Sequence, residues 1–287
     1  MSQEMTAKQW LALAGIAIAA FVFNSSEFMP VGLLTDIGQT FGTSEATTGM
    51  LVSVYAWAVM ILSVPLMIVA TRLDFRRLLL VVLVVFLAGQ VLTAFSASYW
   101  MLMAARLVVA CAHSVFWAIA APIAVRLVPQ SKRALALSVV ETGTAVAAIV
   151  GLPLGRAIGL AVGWRLTFAI VAVISALLLV YLIVTLPWVP GAEPFGVGQL
   201  PGLFRNKGLV ALFVLTALYA WGYYTGYSYI EPFLLQIAGL ENDMVTIVLS
   251  VFGVASIVGS IMCSKLYPRF RFGFFRAITS GFPLRFY

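Results

Sequence analysis

Six ionisable side chains stand inside long apolar runs of this sequence: Glu27, Arg106, His113, Glu141, Arg156 and Glu231. A charge at the centre of a membrane-crossing helix costs about 2.5–3.5 kcal/mol on the insertion scale. Residues kept there at that cost usually face a cavity and carry ions or substrate. Glu27 is the sharpest case. It lies in "FNSSEFMPVG", three residues before Pro30, in a run that is otherwise almost wholly apolar. A carboxylate there suits proton exchange, because burial and a nearby guanidinium act on its proton affinity in opposite senses. Arg106 lies at a matched depth, roughly 10 Å from the same end of its run at 1.5 Å per residue. The two are expected to share a cavity, with Glu27 exchanging the proton; a static pair that fixes helix packing is the alternative.

The elements that must hold these groups follow from composition. The chain has 287 residues, 63% hydrophobic and 9% charged, with mean hydropathy +1.07. A soluble domain carries about 25% charged residues, so too few polar groups remain to cover a water-soluble core. The fold class is an all-α polytopic membrane protein, because helices satisfy their own backbone in lipid. A barrel would need alternating segments, and "LLLVVLVVFLAGQVL" does not alternate. Net charge +7 does not mark a nucleic-acid binder, since the cations are scattered singly between apolar runs. Cys111 and Cys263 read as small buried hydrophobes, and no metal spacing or cofactor is expected.

With about 20 residues per span, eight spans are expected, near 10–34, 47–70, 78–97, 99–126, 134–161, 165–187, 208–238 and 243–266. Fourteen Lys and Arg fall in one set of loops and only Arg165 in the other, which places the N-terminus in the cytoplasm. The longest stretch between spans is rich in Pro and Gly. It divides an N-terminal six-span half (1–187) from a partial second half of two spans (208–266), through a cytoplasmic linker (188–207). An Arg- and Phe-rich tail (267–287) has no run long enough to cross. Glu231-Pro232 in the seventh span echoes Glu27-Phe28-Met29-Pro30 in the first, as parallel repeats would.

Three further patterns carry expectations. Arg106, Ala110, His113 and Trp117 fall on one helical stripe, and His113 is the only histidine. It could titrate near neutrality, although a lone buried histidine more often only bonds a neighbour. Tyr224, Tyr227, Ser228 and Glu231 are spaced for one face, with rings for sugar C–H surfaces and polar tips for hydroxyls. An interfacial aromatic belt is the competing reading. In the fifth span Gly143, Gly151, Gly155 and Gly159 permit close approach of another helix, and Pro153 bends the span. Glu141 is expected near the cytoplasmic end. Arg156 is expected to snorkel at the outer end. Pro30 is expected to free the carbonyl of Ser26.

On these residues the chain resembles the major facilitator superfamily, in particular its drug/sugar proton antiporters. The array around Gly151, Pro153, Gly155 and Gly159 is similar to that group's antiporter motif, with Leu152 where the motif has glycine. Arg76 and Arg77 match the basic pair of the loop between spans two and three, without its leading glycine or its acid in register. Arg106 occupies the place of the fourth-span arginine implicated in proton transfer. "FNSSEFMPVGLL", "YAWAV", "AHSVFWAI", "GLPLGR" and "YSYIEPF" resemble the bacterial sugar efflux transporters, over about residues 10–266. Those proteins have twelve spans, so the resemblance implies a chain truncated after its eighth.

The resemblance implies proton-coupled efflux of sugars across the bacterial inner membrane by a monomer. Glu27 and Arg106 would couple protons. Asn24, His113, Trp117, Tyr224, Tyr227 and Glu231 would meet the sugar. A multidrug exporter of the same superfamily is the first alternative. A non-transporting remnant, or a fragment pairing with another chain, is the second. An enzyme is not expected: there is no HExxH, and "GYSYI" lacks the second glycine of a nucleophile elbow.

Overall fold

The computed structural model describes residues 4–70, 72–191 and 200–266, and every regular element among them is helical. The tail expected over 267–287 lies outside these residues, as do residues 192–199 of the expected linker.

The helices are α1 (Ala7–Phe28), α2 (Leu34–Phe41), α3 (Glu45–Ala70), α4 (Phe75–Ala94), α5 (Tyr99–Leu127), α6 (Arg133–Val146), α7 (Leu152–Val162), α8 (Trp164–Thr185), α9 (Leu200–Arg205), α10 (Lys207–Ser228), α11 (Ile230–Pro232) and α12 (Asn242–Leu266). Polar caps fix where several begin. Thr6 and Gln9 form a capping box on α1, Asp74 caps α4, Ser98 caps α5 and Asn206 caps α10. Gly163, at φ 85°, turns the chain between α7 and α8, in a region that side-chain-bearing residues avoid.

Seven stretches are long and apolar enough to cross a membrane: Ala7–Phe41, Glu45–Ala70, Phe75–Ala94, Tyr99–Leu127, Gln130–Val162, Trp164–Thr185 and Lys207–Ser228. The expected eighth span corresponds to α12, whose Asn242–Ala255 portion is a shorter apolar helix. Two spans depart from their expected form at prolines. The first runs on to Phe41 through a 3₁₀ turn, Met29–Leu33, because Pro30 has no N–H for the α-helical ladder. The seventh is not one helix over 208–238. α10 stops at Ser228, and Pro232 is followed by a π turn, Phe233–Ile237.

The main core joins α1, α3, α4, α5, α6 and α8, with Phe23, Phe86 and Phe116 stacked at its centre at centroid distances of 4.0 and 4.2 Å. The fifth span packs on the first in parallel. A Cβ at Gly143, Gly151, Gly155 or Gly159 would meet Ala17, Ser25, Met29 or Leu33 respectively, always 126 positions earlier. The glycine stripe is therefore the seat of the first span, and it carries the chain that bears Glu27. A π turn, Ala147–Gly151, precedes Pro153, which cannot bond the carbonyl of Ile149. Gly253 of α12 lies against that residue, its ideal Cβ 2.5 Å from Ile149 Cα.

Candidate functional site

A polar cluster sits where the first four spans meet. Pro30 frees the Ser26 carbonyl as the sequence implies, and Arg106 takes it, Nη1 donating over 3.1 Å. The Arg106 guanidinium also lies 4.3 Å from the Tyr55 ring centroid. Gln90 donates to the Ser26 hydroxyl from α4. Arg106 is 1% exposed, and its Nε and Nη2 have no hydrogen-bond partner. The spacing along the fifth helix did bring Arg106, His113 and Trp117 to one cluster.

Glu27 points elsewhere. Its Oε2 is 3.4 Å from His113 Nε2, and its side chain keeps 29% exposure while that of His113 has 3%. No ion pair within 4.0 Å joins Glu27 to Arg106 among the described residues; they flank one turn of α1 without touching as a pair. The difference has a physical cause: the carbonyl opened by Pro30 and the face of Tyr55 hold Arg106, and the Glu27 carboxylate lies against His113, about two turns further along α5.

His113 is held from both sides. Trp117 Nε1 donates to Nε2 over 2.6 Å, and the Tyr55 hydroxyl is 2.8 Å from Nδ1. An indole N–H only donates, so Nε2 is an acceptor and the hydrogen of a neutral ring is assigned to Nδ1, facing Tyr55. Nε2, already accepting from Trp117, also lies 3.4 Å from the Glu27 oxygen. Two acceptors in that position repel, and a proton on Glu27 removes the repulsion. Asn24 is buried nearby and donates back to Ala20 O over 3.2 Å.

Tyrosines of α10 pack against Phe28, the residue after Glu27. Phe28 is 6.3 Å from the Tyr224 ring, stacked, and 5.9 Å from Tyr227, edge-on. Tyr219, Tyr223 and Tyr227 continue as a ladder at 6.3 and 5.5 Å. Sequence reasoning missed Tyr55, Gln90 and Tyr223. The i, i+4 spacing of Tyr219, Tyr223 and Tyr227 was a readable signal. Tyr55 opens the "YAWAV" stretch but nothing local gives its partner, and nothing local marks Gln90.

Glu231 departs from its expected stripe. The helix ends at Ser228, so Glu231 does not share a face with Tyr224 and Tyr227. It is buried against Arg156, Nη1 to Oε1 2.7 Å, with both side chains 0% exposed. Thr35 Oγ1 donates to its other oxygen over 3.1 Å. Arg156 does not snorkel. It is enclosed, donating to Gly32 O over 2.7 Å and to Asn242 Oδ1 over 2.8 Å. Water at the span end was the cheaper partner by position alone, but a carboxylate 75 residues away in sequence supplies the compensation. Arg165, by contrast, bonds Ser96 O over 3.0 Å and lies over Trp164. Cys111 is a free, half-buried thiol.

Comparison with known proteins fits this architecture. Residues 16–284 match the family model of the Major Facilitator Superfamily. A bacterial homolog of the human lysosomal transporter Spinster, in an inward-facing and unoccupied conformation, shares the fold at TM-score 0.76 and 20% identity, over 93% of this chain and 65% of that one. The peptide transporter POT in complex with sulfate aligns at TM-score 0.57 and 17% identity, over 76% of this chain and 48% of that one. The chain thus spans less than two thirds of the length of these solved transporters. An all-helical bundle with seven membrane-crossing candidates, matched over most of its length, belongs to the major facilitator superfamily.

Proposed function

We propose that this chain serves proton-coupled efflux of sugars or sugar analogues across the bacterial inner membrane, with its N-terminus in the cytoplasm. The observation that carries the reading is the Glu27–His113–Trp117 constellation, in which His113 is buried and the Glu27 carboxylate stays partly exposed. Glu27 exchanges the proton. Arg106 holds the turn of α1 that aims it and contributes its positive field. Proton occupancy of Glu27 alters the bonds of His113 and Trp117, which are the groups offered to a sugar together with Asn24. Tyr224 and Tyr227 supply rings and hydroxyls from the other side. Glu231 reaches substrate only in a conformation in which Arg156 has released it. Transport proceeds by rocking of the six-span half (1–187) against the second group of spans (208–266), joined through 188–207, in a monomeric protein.

The test is efflux of a labelled galactoside from membrane vesicles with an imposed proton gradient. Transport should require the gradient, and unlabelled sugars should compete better than apolar dyes. Better competition by dyes supports the second reading, a multidrug exporter, which the aromatic wall of Tyr219, Tyr223 and Tyr227 favours. Absence of any transport, together with no stabilisation of purified protein by sugars, would refute both and leave a non-transporting membrane component.

A further inference from the structure

A cavity of about 280 Å³ lies at the end of the bundle where α1 begins, remote from the polar cluster. Its walls include Thr6, Lys8 and Gln9 at the start of α1, Arg126 in the last turn of α5, and Trp188 and Val189 of the segment after α8. Three elements far apart in sequence thus meet there, and packing fixes each of them. The Phe75 N–H donates to Val189 O over 3.1 Å, which docks the segment after α8 on the first residue of α4. Phe75 and Val189 are both buried. The Arg126 guanidinium lies 4.7 Å from the centroid of the Phe75 ring, so its position is supported by that contact. Thr6 and Gln9 bond each other in the capping box and hold the opposite wall.

The charge of this cavity is unbalanced. Among the described residues no carboxylate lies within 4.0 Å of Lys8 or Arg126, and Asp74 at the start of α4 is taken by Arg77 at 3.2 Å. The first turn of α1 contains no acid. Lys8 and Arg126 are exposed, so each keeps its charge at little cost until an anion arrives. A guanidinium presents a fork that matches two oxygens of a phosphate, and an ammonium adds a point charge to another. Trp188 and Trp10 are 68% and 44% exposed at the same end. Exposed indoles at a span end favour the boundary between headgroups and acyl chains. A soluble anion would gain nothing from them, whereas a lipid would meet both the cations and the rings.

We propose that this cavity binds the phosphate of an anionic phospholipid headgroup, held by Lys8 and Arg126, with Trp188 against the lipid's glycerol and upper chains. The inference requires only that these helices cross a membrane. It is independent of the sugar and proton assignments, and its test reads lipid binding rather than transport.

Purified full-length chain in neutral detergent is titrated with labelled phosphatidylglycerol, and with labelled phosphatidylcholine for comparison. Phosphatidylglycerol should bind at least about fivefold more tightly. Lys8→Gln and Arg126→Gln should each weaken it about fivefold, the effect of one cation near a headgroup, and leave phosphatidylcholine unchanged. Arg133→Gln with Lys207→Gln removes two exposed charges outside the cavity and should change the affinity less than about twofold, because salt screens distant charges. Equal losses from the two sets would show general attraction to a basic face and overturn the proposal. Equal binding of the two lipids would overturn it too. Thermal unfolding checks that each variant is folded; if Arg126→Gln unfolds through loss of its Phe75 contact, Lys8→Gln alone decides. Inorganic phosphate should compete only weakly. Full displacement of the lipid by inorganic phosphate would mark a site for free phosphate and overturn the lipid assignment.

Discussion

The glycines that seat the fifth span on the first are not equivalent, and alanine at each should separate them. At Gly143 the added Cβ overlaps the backbone of Ala17, its carbonyl oxygen first. Backbone cannot rotate away, so the two helices must move apart. Overpacking of this kind costs about 1–3 kcal/mol. Replacing glycine by alanine in a helix returns about 0.4–1 kcal/mol by restricting the unfolded chain. The net loss at Gly143 is about 1–2 kcal/mol, the difference of those terms. At Gly159 the added atom meets only the Cγ and Cδ atoms of Leu33, the far end of a rotatable side chain. The two terms nearly cancel there, and Gly159→Ala should stay within about 1 kcal/mol of the parent. Gly222 on α10 has nothing within 4 Å of its ideal Cβ, so Gly222→Ala should gain the backbone term alone. The assay is thermal unfolding in detergent by intrinsic fluorescence. On soluble-domain scaling of about 2–4 °C per kcal/mol, Gly143→Ala should fall by about 2–8 °C and Gly222→Ala should rise slightly. Equal shifts at Gly143 and Gly159, or a larger loss at Gly159, would refute the parallel register of 126.

Other outcomes follow from the polar cluster and the topology. Glu27→Gln should leave membrane insertion intact and abolish gradient-driven efflux; full gradient dependence in that variant would remove Glu27 from the coupling role. Tyr55→Phe should destabilise by about 1–3 kcal/mol in a denaturation assay, because it leaves the buried Nδ1–H of His113 unpaired. A neutral result would mean that the Tyr55–His113 bond adds nothing to stability. Trp117→Phe removes the indole donor to Nε2, and should weaken protection of the cluster amides in hydrogen exchange without preventing insertion. For orientation, Ala97→Cys should label from the outside of intact cells and Lys132→Cys only after the inner face is opened; the reverse pattern would invert the topology.

Much of the architecture is legible in the chain because lipid leaves few options. A run of apolar residues near the bilayer thickness must be a helix, so the spans and their alternation could be read locally. The same holds for Pro30, whose missing N–H made an open carbonyl at Ser26 predictable. The glycine spacing likewise announced a close helix contact, although not its partner. The polar site was legible only in pieces. His113 and Trp117 share a helix, and their i, i+4 spacing brought them together. Glu27 and Arg106 were recognisable as costly charges, but their partners were not. Glu27 turned to His113, and Arg106 to a carbonyl and the face of Tyr55.

Local pattern alone set the helical class, the span count to within one and the costly charges. Those follow from hydropathy and from the geometry of a single helix. Which charge meets which depends on how the helices pack. Arg156 was expected to reach water and instead holds Glu231, and the break after Ser228 is what carries that acid off the tyrosine face. The reason is range: helical periodicity relates residues three or four apart, whereas Thr35 and Glu231 lie 196 positions apart and meet only when α2 and α11 pack.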